Sequence, residues 1–153
     1  MFKKIMVPLD GSELAEAVLP YVRALAATEG AEVILLRVLV YAIHDFAGVD
    51  PTFSATIAEA NEAVRQGTEK YLRELTARLS AQGLNVSALT ADGLVAEAIL
   101  DCADKTGADL IAMSTHGRSG LARWLIGSVA DRVVRGSKVP VLLIRPTGHP
   151  ASA

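Results

Sequence analysis

Between Ser114 and Ser128 the chain reads S-T-H-G-R-S-G-L-A-R-W-L-I-G-S. Nine residues separate Gly117 from Gly127, and Ser128 supplies a hydroxyl directly after the second of these glycines. The stretch follows an apolar run, Leu110-Ile111-Ala112-Met113, and leads into an amphipathic one, Val129 to Arg135. That pattern is a strand, a glycine-bearing loop and the start of a helix. Glycines leave backbone N–H groups unobstructed, and a helix start adds the positive end of its dipole, so such a loop suits an anionic phosphate. No lysine lies in the stretch, so the loop lacks the Walker lysine. The plainer alternative makes Gly117 and Gly120 turn residues and Ser128 an ordinary helix cap.

Other residues with chemical potential are fewer. Asp10-Gly11-Ser12 follows the apolar run Ile5-Met6-Val7-Pro8-Leu9 and can turn the chain and cap a helix. Arg118 and Arg123 flank the glycine loop and either neutralise phosphate or stand in solvent. His116 has no nucleophile or carboxylate beside it in sequence, which fits a loop anchor better than a general base. His44 and His149 do not complete metal-ligand spacing with it. Cys102 falls on an apolar helix face and reads as core, and Trp124 reads as packing between loop and helix. Asp131, Arg132 and Arg135 alternate around one helix as a solvated or dimer-rim face. Neither paired catalytic carboxylates nor a nucleophile elbow is present.

The elements that must hold these residues follow from hydrophobic period. Strands are expected at Ile5–Leu9, Val33–Val40, Leu84–Thr90, Leu110–Ser114 and Val139–Ile144. Leu14, Val18, Tyr21, Val22 and Leu25 recur at helical spacing up to Gly30. Ile57, Val64, Tyr71, Leu72, Leu75 and Leu79 mark a second helix ending at Gly83, weakened locally by Gly67. Val95, Ala98, Ile99 and Cys102 mark a third that ends at Gly107, and the fourth centres on Val129–Arg135. Tyr41 to Thr56, with Gly48, Pro51 and Ser54, reads as a long surface loop. Five strands alternating with four helices imply a single-domain α/β fold: a parallel sheet, helices on both faces and right-handed crossovers. In that architecture a ligand binds beyond the carboxyl ends of the strands, where strand order reverses.

Composition agrees. The 153 residues suffice for one domain, and 51% are hydrophobic while only 5% are aromatic, the filling of an aliphatic α/β core. A net charge of −2 argues against a general binder of nucleic acid or of anionic membranes. The single cysteine cannot form an internal disulfide, which fits a reducing compartment. Met1-Phe2-Lys3-Lys4 runs straight into a strand pattern, with no signal-peptide core and no membrane-length apolar run. We therefore expect a soluble cytoplasmic protein, with a domain at residues 1–146 and a frayed tail at 147–153.

The opening K-K-I-M-V-P-L-D-G-S, the segment S-T-H-G-R-S-G-L-A-R-W-L-I-G-S-V-A-D-R-V-V-R and the ending V-P-V-L-L-I-R closely resemble the universal stress protein family. The resemblance covers residues 2 to 145 with all elements in order. It implies a three-layer α/β/α, Rossmann-like domain with a five-stranded parallel sheet ordered 3-2-1-4-5. It also implies a homodimer, here through the fifth strand, Val139–Ile144. The ATP-binding subgroup of the family carries Gly, two residues, Gly, nine residues, then Gly followed by Ser or Thr. On that pattern the second glycine is Gly117, the third is Gly127 and the hydroxyl residue is Ser128, while Ser114 occupies the first glycine position.

By the same resemblance Pro8, Leu9 and Asp10 line one side of an adenine site, and the Val38 backbone bonds the base edge. Asp10 is then placed to accept from a ribose hydroxyl. Met113, Ser114 and His116 complete the wall at the fourth strand. Gly117, Arg118 and Ser119 meet the phosphates, and Gly127, Ser128 and Val129 close over them. The implied function is regulatory binding of ATP with Mg2+, or of another adenine nucleotide such as cyclic AMP, in a stress response. No catalytic residue is expected. The alternatives are an enzyme using the same crevice, such as a nucleotidyl transferase or slow ATPase, or a dimeric stress protein that binds no nucleotide. A dinucleotide-dependent dehydrogenase is disfavoured, because the first turn lacks G-x-G-x-x-G.

Overall fold

Ile5, Met6 and Val7 are all fully shielded from solvent. Consecutive side chains of a strand point to opposite faces, so this run must be covered on both sides. The computed structural model, which describes residues 1–41, 51–115 and 127–146, shows how. Strands β1 (Lys4–Pro8), β2 (Glu32–Leu39), β3 (Asn85–Asp92), β4 (Leu110–Ser114) and β5 (Val141–Ile144) form one parallel sheet in the order β3-β2-β1-β4-β5. The order is the one the family resemblance implied.

The sheet splits the core in two. Ile5, Val7, Val33 and Leu35 face helix α2 (Leu19–Glu29) and helix α3 (Pro51–Ser80), where Val18, Val22, Leu72, Leu75 and Leu79 meet them. Met6, Ile34, Leu36 and Ile111 face helix α4 (Val95–Thr106) and helix α5 (Ser128–Gly136), against Ile99, Ala130 and Val133. The register Val7↔Leu35 and Ile5↔Leu110 places β1 at the centre. From β1 the chain winds out to β2 and β3 on one side, then returns to β4 and β5 on the other, so strand order reverses between β1 and β4.

Four expectations need correction. The first helix is two, a short α1 (Glu13–Glu16) and α2, because Pro20 has no N–H and its ring excludes a continuous turn with the carbonyl of Glu16. Leu14 and Tyr21 are 38% and 53% exposed despite their helical spacing. Pro51–Thr56 is helix rather than loop: α3 opens on Pro51, which suits a helix start, and Gly67 does not interrupt it. Its Val64 is 41% exposed, so not every periodic position is buried. β3 runs on to Asp92, paired with Leu39. β5 begins at Val141, because Val139 is held in a turn in which its N–H donates to Ser137 Oγ at 3.2 Å.

The remaining part of the expected loop at 42–50, with His44, lies outside the described residues, as do Gly120, Arg123, Trp124, His149 and the tail at 147–153. Cys102 is half-buried against the α4–α5 layer, and burial pushes its thiol pKa up. Asp131, Arg132 and Arg135 are surface groups in ion pairs, Arg135 with Asp131 and Arg132 with Glu97.

Candidate functional site

The carboxyl ends of β1, β2 and β4 open into a cavity of about 380 Å3. Its first wall is the end of β1. Pro8 closes the strand, and Leu9 is buried with its N–H donating to the Leu36 carbonyl at 2.9 Å. Asp10 is exposed at the rim, where its Oδ1 accepts from the Ser12 N–H at 2.9 Å and from the Ser12 hydroxyl at 2.6 Å. Ser12 Oγ in turn accepts from the Ala15 N–H at 3.1 Å and caps α1. Asp10 thus secures the cap without being it. Gly11 crosses the turn at φ +83°, the left-handed region that favours glycine.

β2 supplies the second wall. Glu32 N–H donates to Lys3 O and Leu36 O accepts from Leu9 N–H, so the even-numbered residues of β2 turn their peptide groups toward β1. Pairing with β1 ends at Pro8↔Leu36. Val38 therefore turns its N–H and C=O toward the space beyond β1, where it lines the cavity. That is a donor and an acceptor at fixed spacing, the pattern a flat heterocycle edge can pair with.

The third wall is the end of β4 and the start of α5. Met113 is buried, and Ser114 Oγ donates to the Ala15 carbonyl at 3.2 Å. The hydroxyl at the first motif position therefore ties α1 to β4. Gly127, not Ser128, is the N-cap of α5, with φ −56° and ψ 152°, and no side chain caps the helix. Its carbonyl accepts the first intrahelical bond, from Asp131 N–H at 2.9 Å. The N–H groups of Ser128, Val129 and Ala130 precede that bond and have no acceptor within the helix. They cluster where the positive end of the helix dipole meets the cavity.

Of the residues expected at the site, Pro8, Leu9, Asp10, Val38, Met113, Ser114, Gly127, Ser128 and Val129 all line this one cavity. His116, Gly117, Arg118 and Ser119 lie outside the described residues. Sequence spacing did not single out the side contributed by Arg37 and by Val64 and Thr68 of α3. Thr68 is only 5% exposed, a polar residue on the apolar face of its helix. Arg37 is the sole charge in the run from Val33 to Val40. Each breaks its local pattern, and that break is the signal that could have found them.

Behind the cavity a polar clamp fixes α1. Tyr71 Oη donates to Glu16 Oε1 at 2.9 Å, and Arg78 pairs with the other oxygen of Glu16. Burial, then the bond to Glu16, raises the Tyr71 pKa well above the ordinary phenol value. Among the described residues no group of three or more His, Cys, Asp or Glu is arranged to hold a metal ion, and no helix is long and apolar enough to cross a membrane.

The universal stress protein MJ0577 of Methanocaldococcus jannaschii is 29% identical over 155 residues, which cover 95% of this chain and 96% of that one. Its solved structure superposes with a TM-score of 0.80 at 30% identity, covering 97% of this chain and 99% of that one. Universal stress protein YxiE of Bacillus subtilis is 30% identical over 148 residues, covering 95% of this chain and all of that one. A universal stress protein solved in complex with cAMP shares the fold at 24% identity and a TM-score of 0.65, covering 95% of this chain and 98% of that one. The family model for universal stress proteins matches residues 1–145. The chain belongs to the universal stress protein family.

Proposed function

We propose that the cavity binds ATP and that the protein is a regulatory nucleotide-binding module rather than an enzyme. The observation that carries this reading is the convergence of three unlike groups on one space. The Val38 peptide offers a base edge its donor and acceptor, Asp10 offers a carboxylate for a sugar hydroxyl, and the start of α5 offers N–H groups for phosphate. A volume of about 380 Å3 falls within the range usual for small-molecule sites. Mg2+ would travel with the phosphates and its own waters, since Mg2+ retains water readily and needs few protein carboxylates. Slow hydrolysis of bound ATP is the alternative use of the same crevice.

The test is to purify the protein without added ligand, denature it and identify any released nucleotide by mass. Calorimetry with ATP and Mg2+ then measures affinity, expected in the micromolar range, on the order of −8 kcal/mol. Cyclic AMP is the competitor to include, given the complex of the distant relative. Absence of heat and of thermal stabilisation up to millimolar ATP would remove the reading.

The second part of the proposal is a homodimer through β5, which ends the sheet. Pro140 O and Ile144 O accept from Ile111 N–H and Thr115 N–H on β4. By the same alternation, Val141 and Leu143 turn their peptide groups to the outer edge. Pairing of that edge with a second copy would satisfy those groups and close the assembly as a two-fold.

A further inference from the structure

Thr68 lies one turn beyond Val64 on helix α3, and both line the cavity. Thr68 is only 5% exposed. A threonine within a helix commonly bonds its hydroxyl back to the carbonyl one turn before it. Thr28 does so to Ala24 O at 2.9 Å, and Thr106 to Cys102 O at 2.7 Å. Thr68 does not, and its Oγ1 has no hydrogen-bond partner among the described residues. Nor is this oxygen shut away. Among the described residues the unpartnered side-chain atoms sealed from solvent are Arg37 Nη1 and Thr76 Oγ1, whereas Thr68 Oγ1 is open to the cavity. A buried hydroxyl that faces an open cavity is placed to bond what fills it.

We infer that Thr68 is a specificity-determining residue whose hydroxyl donates to a ring nitrogen of the bound purine base. This rests on the nucleotide reading above and deepens it. The layers of the fold favour the base over the phosphates. Leu72, one turn beyond Thr68, packs in the α2–α3 layer, whereas Ala130 at the start of α5 packs in the opposite one. Helix α3 rests on β2 and β3, and β2 is the strand that carries the Val38 peptide. A purine with one edge on Val38 still presents N3 and N7 as acceptors in the plane of its ring. A neutral hydroxyl suits such a neutral nitrogen, and Val64 on the same helix face adds apolar surface for the flat ring.

The experiment compares the parent with Thr68→Val, which keeps the shape of the side chain and removes its hydroxyl. Each protein is titrated calorimetrically with ATP and with 3-deaza-ATP, 7-deaza-ATP, 2′-deoxy-ATP and 3′-deoxy-ATP. Thr68→Val is expected to bind ATP about 5-fold more weakly, the effect of one neutral hydrogen bond. Thr68→Ser, which keeps the hydroxyl, should retain most of the parent affinity. For the deaza analogue that lacks the contacted nitrogen, parent and Thr68→Val should bind alike, and the parent itself should bind it about 5-fold more weakly than ATP. The gap between the two proteins should persist with both deoxy analogues. Equal affinity of parent and Thr68→Val for ATP overturns the inference and leaves the nucleotide reading standing. A gap of the same size with both deaza analogues also overturns it, as does a gap that closes with a deoxy analogue, since the hydroxyl would then meet the sugar. A parent that binds no adenine nucleotide removes both.

Discussion

On the proposed nucleotide reading Gly127 serves binding, whereas Tyr71 serves stability. Gly127 has φ −56°, a conformation open to any residue, so a side chain there costs the backbone little. It stands instead where ligand phosphate would approach the start of α5. Gly127→Val should therefore abolish ATP binding while leaving the thermal unfolding midpoint of the unliganded protein nearly unchanged. Unimpaired ATP binding by the variant would show that phosphate lies elsewhere. Tyr71 has the complementary role, because its hydrogen bond holds Glu16 and hence α1 behind the cavity. Tyr71→Phe should cost about 1 kcal/mol in a denaturant titration. The pH dependence has a definite sign. The folded state raises the phenol pKa, so the contribution is complete below the unfolded value of about 10 and is lost as pH rises toward the higher folded value. Absorbance titration should show a late-ionising tyrosine that is missing from Tyr71→Phe.

At the scale of elements, β5 carries two duties that are separable. Its side chains serve the protomer: Val141 and Leu143 pack on the α4–α5 layer, Leu142 and Ile144 on the α2–α3 layer, all half-buried. Only the peptide groups of Val141 and Leu143 face outward. Val141→Asp should accordingly lower the stability of the protomer by about 2 kcal/mol or more, the cost of placing a charge against an apolar layer. Light scattering of the parent at micromolar concentration should give twice the chain mass. A parent that remains a monomer at high concentration rules out pairing through this edge, whatever Val141→Asp does to stability.

At the scale of the whole molecule, the cavity joins both layers of the core at the point where strand order reverses. Ligand binding there should stabilise the entire fold and not one segment. At ATP one hundred times its dissociation constant, linkage contributes about 2.7 kcal/mol, which for a domain of this size raises the melting temperature by about 5–10 °C. A melting temperature unmoved by ATP at that excess would mean that the ligand does not favour the native state. Gly127→Val should lose this increment.

The strands, the turn at Asp10 and the loop ending in Gly127 and Ser128 were legible from hydrophobic period and glycine spacing, which are local properties of the chain. The strand order and the place of Val38 came with the family resemblance. The same local reasoning ran the first helix through Pro20, although the missing N–H was visible there. It also kept Pro51–Thr56 as loop, although helix α3 extends through these residues. What periodicity cannot carry is which side chains meet across layers. The Ser114 hydroxyl on Ala15 O joins residues 99 positions apart, and Tyr71 reaches Glu16 across 55. Arg37 announces itself in sequence only as a charge in an apolar strand. Its place under Gly11 exists only once β1 and β2 are side by side. Local sequence determined most of the elements and the strand ends at which the cavity opens. Tertiary structure alone decided the polar contacts of the cavity wall, because each depends on distances between residues that the chain itself keeps far apart.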